Sequence, residues 1–435
     1  MPKVTSKYGP RQLYSPEALS GLRPEGLDIP LPLGRLVCQR FDAGRVEDIR
    51  QVVQEQFRQH ELATRIPRGG RVAIAVGSRG LARLPEIVSA VAGVVRAHGA
   101  EPFVVPAMGS HGGATAEGQR RILADYGVSE ASLGIEVRAS MDVLELGRLP
   151  SGMPVYFDRE AYQADGVIVI NRVKPHTCFR GPTESGLIKM LTIGLGKHKG
   201  ASTLHTAGFP NFPRLLPEAA TLVLKKAHIL YGVASIENAF EDVASLEVIP
   251  AEKILQREPE LLRTARQKMG RLLIDSCDVL IVDEIGKNIS GDGMDPNVTG
   301  RYSEPTMSGA GGFETQKVVV LGLTPETHGN ASGIGVADII TQKAFEEIDF
   351  VQTYTNAVTS TVLTSVRIPV VMPTARQAVA LALLTANGTT PGRARVVRIK
   401  NTLQLERIWV SESLWQEMSA RPEFEALANP LPLEL

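Results

Sequence analysis

The chain reads as an α/β protein: two α/β domains with mainly parallel sheets and an active-site cleft between them. Two observations predict this. Short apolar runs alternate with segments of helical period, separated by turns drawn from 41 glycines and 28 prolines. The alternation stops in a charged stretch, residues 240–271, and then starts again. At roughly 150 residues per domain, 435 residues leave room for two or three domains with cores of their own.

The elements follow in order. Residues 71–76 (RVAIAV) are an apolar run opened by Gly69-Gly70 and closed by Gly77, which suits a strand buried on both faces. Residues 84–98 carry Ile87, Val88, Val91, Val94 and Val95 at helical spacing, with Pro85 in the first turn and Gly99 past the end. Residues 101–105 return as a strand, and residues 114–126 as a helix with Thr115 as N-cap and Gly127 as stop. A strand–helix–strand unit of this kind makes a parallel pair with a right-handed crossover. Residues 166–170 (GVIVI) form the next strand. Further on, residues 278–283, 318–321 and 366–372 read as strands, and residues 337–345 and 375–384 as helices. The stretch 240–271 is charged and helical in pattern, and the hinge is placed there. This divides the chain into an N-terminal domain over 1–271, a C-terminal domain over 272–410, and a helical tail over 411–435. The tail carries Trp415 and is expected to pack back on the N-terminal domain.

Composition removes several classes of function. The 47 Lys+Arg balance 47 Asp+Glu, whereas nucleic acid or a membrane surface calls for a cationic surplus. Aromatics, at 5%, are too scarce for base-stacking platforms. Cys38, Cys178 and Cys277 are odd in number and far apart, which suits a reducing compartment better than a disulfide framework. No apolar run approaches the roughly 18 residues of a spanning helix, and the start lacks the apolar core of a signal peptide. A cytoplasmic protein is expected.

Ligands of open parallel sheets bind outside the carboxyl ends of the strands. Three loops leave such ends. In Gly77-Ser78-Arg79-Gly80 the glycines permit close backbone approach and Arg79 offers a fork for a carboxylate or phosphate. The plain alternative is an exposed turn. In the second loop, residues 106–113, His111 stands among glycines with nothing to shield its ring, as an acid/base or a metal ligand. The third loop, from Asn171 to Gly196, holds His176 after a strand and Lys189 inside the apolar run 187–191. A desolvated ammonium is costly, so Lys189 is expected to be paired, neutral or covalently modified. Snorkelling to water or pairing with Glu184 is the structural alternative. Farther on, His205 is preferred as a ligand over His198, because Lys197 and Lys199 mark an exposed, solvated stretch. HExxH, paired CxxC, GxSxG, P-loop and GxGxxG patterns are missing. Residues 292–297 lack the spacing of a calcium loop and read as an ordinary turn.

Taken in order, Arg79, His111, His176, Lys189 and His205 resemble the nickel-pincer lactate racemase family, most sharply from Val76 to Thr206. In that resemblance Lys189 matches the lysine that carries the nickel pincer nucleotide. That group is a pyridinium-3-thioamide-5-thiocarboxylic acid mononucleotide with nickel, and acylation would remove the lysine's charge. His205 matches the histidine that completes the coordination of nickel, and soft sulfur with one imidazole suits that metal. His111 and His176 match the acid/base pair, and Arg79 the arginine that holds the substrate carboxylate. Ser78, Lys174, Thr177 and Ser185 are expected along the cofactor, and Lys287 and Arg301 on the substrate from the second domain. The implied reaction is racemisation or 2-epimerisation of a 2-hydroxy acid through a planar 2-keto acid, with hydride leaving C2 as a histidine takes the hydroxyl proton. The implied partners are that substrate and the proteins that build the cofactor.

Two departures from the family pattern stand out. Val76 and Gly77 precede Ser78 where the family has an aspartate shortly before its arginine. Residues 178–184, with Arg180, Thr183 and Glu184, lengthen the loop before the lysine. The added polar length points to a 2-hydroxy acid larger or more polar than lactate, such as a sugar acid. Two other readings stay open: a zinc- or iron-dependent hydrolase using the same histidines, and a non-catalytic anion- or nucleotide-binding protein using the Arg79 loop.

Overall fold

In the computed structural model, which describes residues 26–59, 65–77, 80–307 and 312–435, the apolar runs become the buried centres of two sheets. The first half of the chain supplies β1 (Leu33–Gln39), β2 (Arg71–Val76), β3 (Glu101–Pro106), β4 (Val143–Arg148), β5 (Pro154–Asp158), β6 (Gly166–Arg172), β7 (Ile229–Glu237) and β8 (Val243–Pro250). The second half supplies β9 (Ser276–Val282), β10 (Glu314–Val320), β11 (Ile339–Thr341), β12 (Val370–Met372), β13 (Val396–Ile399), β14 (Arg407–Ser411), β15 (Phe424–Ala426) and β16 (Leu431–Pro432).

One sheet has the order β3-β2-β6-β7-β8. Its first four strands are parallel and β8 closes the edge antiparallel to β7. Val72, Ala73, Ile74, Ala75 and Val76 of β2 are fully buried because helices cover both faces, as the unbroken apolar run requires. Val88, Val91 and Val95 of the helix Leu84–Ala97 pack on one face, and Leu216, Ala219 and Val223 of the helix Phe212–Lys226 on the other. Strands β4 and β5 form a separate antiparallel hairpin.

The larger sheet has the order β12-β11-β10-β9-β13-β14-β1-β15, with β16 also beside β1. Strands β9 to β13 run parallel, whereas β14, β1, β15 and β16 are antiparallel additions. The parallel α/β class is therefore as expected, and several elements differ from their predicted form. Residues 337–345 divide into β11 and a short helix, Gln342–Glu346, capped by the Thr341 side chain. Residues 366–372 keep only three strand residues, because a tight turn over Leu363–Val366 precedes them.

The stretch 240–271, expected to be a hinge, is β8 followed by the helix Ile254–Lys268, whose Leu261, Leu262 and Ala265 pack into the first sheet's core. The tail is a helix only over Glu412–Met418, and then becomes β15 and β16. It packs against β1, which lies in the larger sheet, so the chain visits that sheet before building the smaller one. A boundary at 271 thus separates the chain by order, while the strands sort by partner.

Candidate active site

The carboxyl ends of β2, β3 and β6 converge on the segment that carries Lys189. After β2, a Cβ on Gly77 would lie 2.6 Å from the Met190 methyl and 3.3 Å from Asn171 Oδ1, so a larger residue there would have to displace the end of the Met190 side chain. Asn171, at the end of β6, donates from Nδ2 to Gly186 O at 2.8 Å. Ser78 and Arg79 lie outside the described residues. The chain that follows them is tied down by Ala82, whose N–H donates to Glu237 Oε1 at 2.8 Å, and Glu237 in turn pairs with Arg172.

The Lys189 segment has an unusual build. Leu187–Lys189 is a helical turn that widens into a π-helix over Met190–Gly194, closed by the Leu195 N–H to Met190 O at 2.8 Å. Such wide turns recur at functional sites because they turn a side chain out of regular register. Glu258, fully buried on the helix Ile254–Lys268, holds the start: the Ile188 N–H donates to its Oε2 at 2.8 Å. Burial pushes this carboxyl up to about 7, against the pull of the Ile188 and Leu187 N–H groups. A Cβ on Gly186 would meet that carboxyl at 2.6 Å.

His176 and Lys189 are brought together, with Nε2 of the ring 2.7 Å from Nζ. On its other side the ring accepts the Cys178 N–H at Nδ1, at 2.9 Å. A nitrogen that accepts a backbone N–H carries no proton, so the neutral ring bears its proton on Nε2, facing the lysine. An uncharged ε-nitrogen satisfies that contact. Phe179 and Phe209 lie against the imidazole, with centroids 4.5 and 5.7 Å away.

His205 ends the helix Lys197–His205 and shares the same aromatic wall, 5.5 Å from Phe209 and 5.2 Å from Phe212. Its Nδ1 is 2.6 Å from Ala201 O, which can only accept, so Nδ1 carries the proton and Nε2 keeps its lone pair. Burial lowers the pKa of this histidine and favours the neutral ring. A locked Nδ1–H with a free Nε2 lone pair is how metal-ligating histidines are held. His198 is exposed.

His111 is exposed, on the loop after β3. That loop docks on the same segment: the Gly109 N–H donates to Gly194 O at 3.1 Å, and a Cβ on Gly109 would lie 3.4 Å from that of Ala201. Beneath it sits a residue that sequence reasoning misplaced. Lys197, expected in a solvated stretch, is 0% exposed. Its Nζ lies 3.0 Å from Asp158 Oδ2, equally buried, and 2.5 and 3.2 Å from Pro106 O and Gln119 Oε1. Gln119 Nε2 passes the restraint on, donating to Gly109 O at 2.9 Å and His111 O at 3.3 Å. The only local signal was one lysine among glycines, which does not tell a buried pair from a wet turn.

The remaining predicted residues divide. Lys174 and Ser185 bond to each other through their backbones at 2.8 and 3.2 Å, which closes the intervening loop, and Lys174 Nζ lies 3.9 Å from Asp295. Thr177 Oγ1 lies 3.4 Å from Cys178 Sγ, a thiol that burial pushes up to about 12. Lys287 turns its ammonium back to Gly291 O of its own loop, 2.5 Å away. Arg301 is committed to Asp338 at 3.0 Å and to the Gln316 and Thr315 carbonyls, so it ties β10 to β11 and is not brought to the histidines. From the second half of the chain, Asn297 and Tyr302 also reach this loop, both bonded to Arg180. Glu184 is occupied by Arg180 and Arg266, not by Lys189.

Among the described residues, no group of three His, Cys, Asp or Glu side chains is placed to hold a metal ion. A hydrolytic zinc site takes three protein ligands, which this donor set does not supply, whereas one prepared histidine suits a metal whose other ligands arrive with a cofactor.

Residues 40–211 match the family model described as the lactate racemase N-terminal domain. The fold is similar to that of the lactate racemase apoprotein from Thermoanaerobacterium thermosaccharolyticum, with 12% identity, a TM-score of 0.50, and coverage of 86% of this chain and 99% of that one. No curated protein matches the chain. The matches thus define an α/β protein with a lactate racemase N-terminal domain over the residues that build the site. Over residues 40–211 the chain is similar in sequence to that domain, and over most of its length it is similar in fold to that apoprotein.

Proposed function

We propose that this protein is a racemase of the lactate racemase kind that inverts C2 of a 2-hydroxy acid, using a nickel pincer nucleotide attached to Lys189. The observation that carries the reading is the pairing of Lys189 with His176 beside a neutral His205 whose Nε2 is left as a ligand. Lys189 would carry the group, His205 would donate to nickel, and the Phe209 and Phe212 rings would wall the space. When bound, that cofactor supplies a reversible hydride acceptor, the part of the chemistry that side chains cannot provide.

The chain's own residues handle the proton and the orientation. His176 presents Nε2 and exchanges the proton of the substrate hydroxyl there. In the resting tautomer Nε2 bears a proton and donates. To act as base, the ring gives up the Cys178 N–H and carries its proton on Nδ1. His111 does the same from its separate loop, so that each enantiomer meets one histidine. Arg79 is proposed for the carboxylate on sequence grounds. The substrate class is a 2-hydroxy acid. The case for one larger than lactate loses its support, because Arg180 and Glu184 bond to one another and to the His176 peptide groups.

The test is co-expression with cofactor-building proteins, followed by peptide mass analysis, nickel determination and assay on a panel of chiral 2-hydroxy acids. The expected result is added mass on the Lys189 peptide, bound nickel and interconversion of enantiomers. Active protein with an unmodified Lys189 would rule the reading out. His205→Ala should lose nickel while His198→Ala keeps it.

A further inference from the structure

The loop between His176 and Lys189 contains an ion pair that grips the histidine's own backbone. Glu184, 1% exposed, accepts the His176 N–H at Oε2, 2.7 Å away. Arg180 donates from Nη1 to the His176 carbonyl, also at 2.7 Å, and lies 3.4 Å from the same Oε2. Both peptide groups flanking the ring are thereby held by one carboxylate–guanidinium pair. Arg266 secures Glu184 from behind, 2.5 Å from Oε1.

The other end of Arg180 reaches the second half of the chain. Nη2 donates to Asn297 Oδ1 at 2.5 Å and to the Tyr302 hydroxyl at 2.7 Å, and the guanidinium lies 5.1 Å from the centre of the Tyr302 ring. Asn297 is itself oriented, because its Nδ2 donates to Asp295 Oδ1 at 2.7 Å, and the same nitrogen reaches the His176 carbonyl at 3.5 Å. Cys178 adds a further crossing, with Sγ 3.7 Å from Asp292 Oδ2. A guanidinium presents its donors in a rigid planar fork, which spans acceptors farther apart than a single ammonium nitrogen does.

We infer that Arg180 is a positioning residue for His176, and that Asn297 and Tyr302 set Arg180, so that the placement of this imidazole depends on contact between the two halves of the chain. The catalytic consequence rests on the racemase reading; the positioning does not. Ring placement matters because a proton-transfer group displaced by about 1 Å can lose roughly 100-fold in rate.

The test uses the full chain without cofactor, labelled with ¹⁵N in the imidazoles, and compares wild type with Arg180→Met, Arg180→Lys and the pair Asn297→Ala/Tyr302→Phe. The expected result is that Arg180→Met and the pair both shift the His176 ring signals and the midpoint of their pH titration, while the His205 signals stay in place. Arg180→Lys should recover only part of the wild-type position. In cofactor-loaded enzyme the same variants should lower kcat by about 100-fold with KM little changed. If Arg180→Met does not fold, the Asn297→Ala/Tyr302→Phe pair carries the test alone. Unmoved His176 signals in a folded variant would overturn the inference. Shifted signals in a protein that racemises no 2-hydroxy acid would instead overturn the proposed function and leave the positioning standing.

Discussion

The environment of Lys197 departs far from expectation for a lysine. Its backbone has φ 53°, a left-handed conformation uncommon for a non-glycine residue, and its ammonium has no exposure. Burial pushes both Lys197 and Asp158 toward their uncharged forms, and their close approach opposes this. Removing one partner leaves the other charge buried, so Lys197→Met should cost about 3 to 5 kcal/mol in urea unfolding. Lys197→Met/Asp158→Leu should recover a large part of that. Because Lys197 and Gln119 bond the backbone at Pro106, Gly109 and His111, the single variant should also speed hydrogen exchange across residues 107–115. The aromatic cluster is legible differently. Phe179, Phe209 and Phe212 are scattered in the sequence and show no period, and only the folded chain places them around His176 and His205.

At the scale of elements, the segment 187–205 is where most of the site's geometry is made. A Cβ on Gly194 would meet Met190 Sδ at 2.6 Å and Ala107 O at 2.7 Å, so Gly194→Ala should disturb the wide turn and the His111 loop together. Circular dichroism with a thermal melt would report the loss. The carboxyl of Glu258 under this segment has a testable pH signature. Its folded pKa is raised from 4.5 to about 7, so the folded state binds the extra proton between those values. Stability should therefore fall as pH rises through that window, by roughly 3 kcal/mol, and level off above it. Glu258→Gln should flatten the pH dependence of the melting temperature, and a slope equal to wild type would refute the assignment. Regular elements of this region were readable: the strands read at 71–76, 101–105 and 166–170 came from apolar runs, the first of them set between glycines. The wide turn at 190–194 was not, because its surroundings, Ala107 against Gly194 and Glu258 under Ile188, are distant in the sequence.

At the scale of the whole molecule, the larger sheet is completed by both ends of the described chain. Arg35 of β1 bonds to Glu412 at 2.7 and 2.8 Å, and β15 and β16 cover the other edge of β1. Deleting residues 424–435 should expose the N–H and C=O groups of that edge. Amide exchange should then rise in β1 and β14 while β2, β3 and β6 keep their protection. Equal loss of protection in both sheets would show that they do not behave as separate units. None of the described helices is long and apolar enough to cross a membrane, in keeping with the absence of long apolar runs.

The sequence by itself determined the class of fold and the order of the unusual residues. Buried strands, helix stops and a lysine in apolar surroundings are local facts, written in periodicity, glycine placement and residue type. Only the tertiary structure decided which charges are interior and what they hold. Lys197 looked solvated until Asp158 and Gln119 met it, and Arg180 looked like a substrate contact until Asn297 and Tyr302, 117 and 122 residues away, came to it. A buried charge is tolerable only where its partners converge, and that convergence is a property of the folded chain.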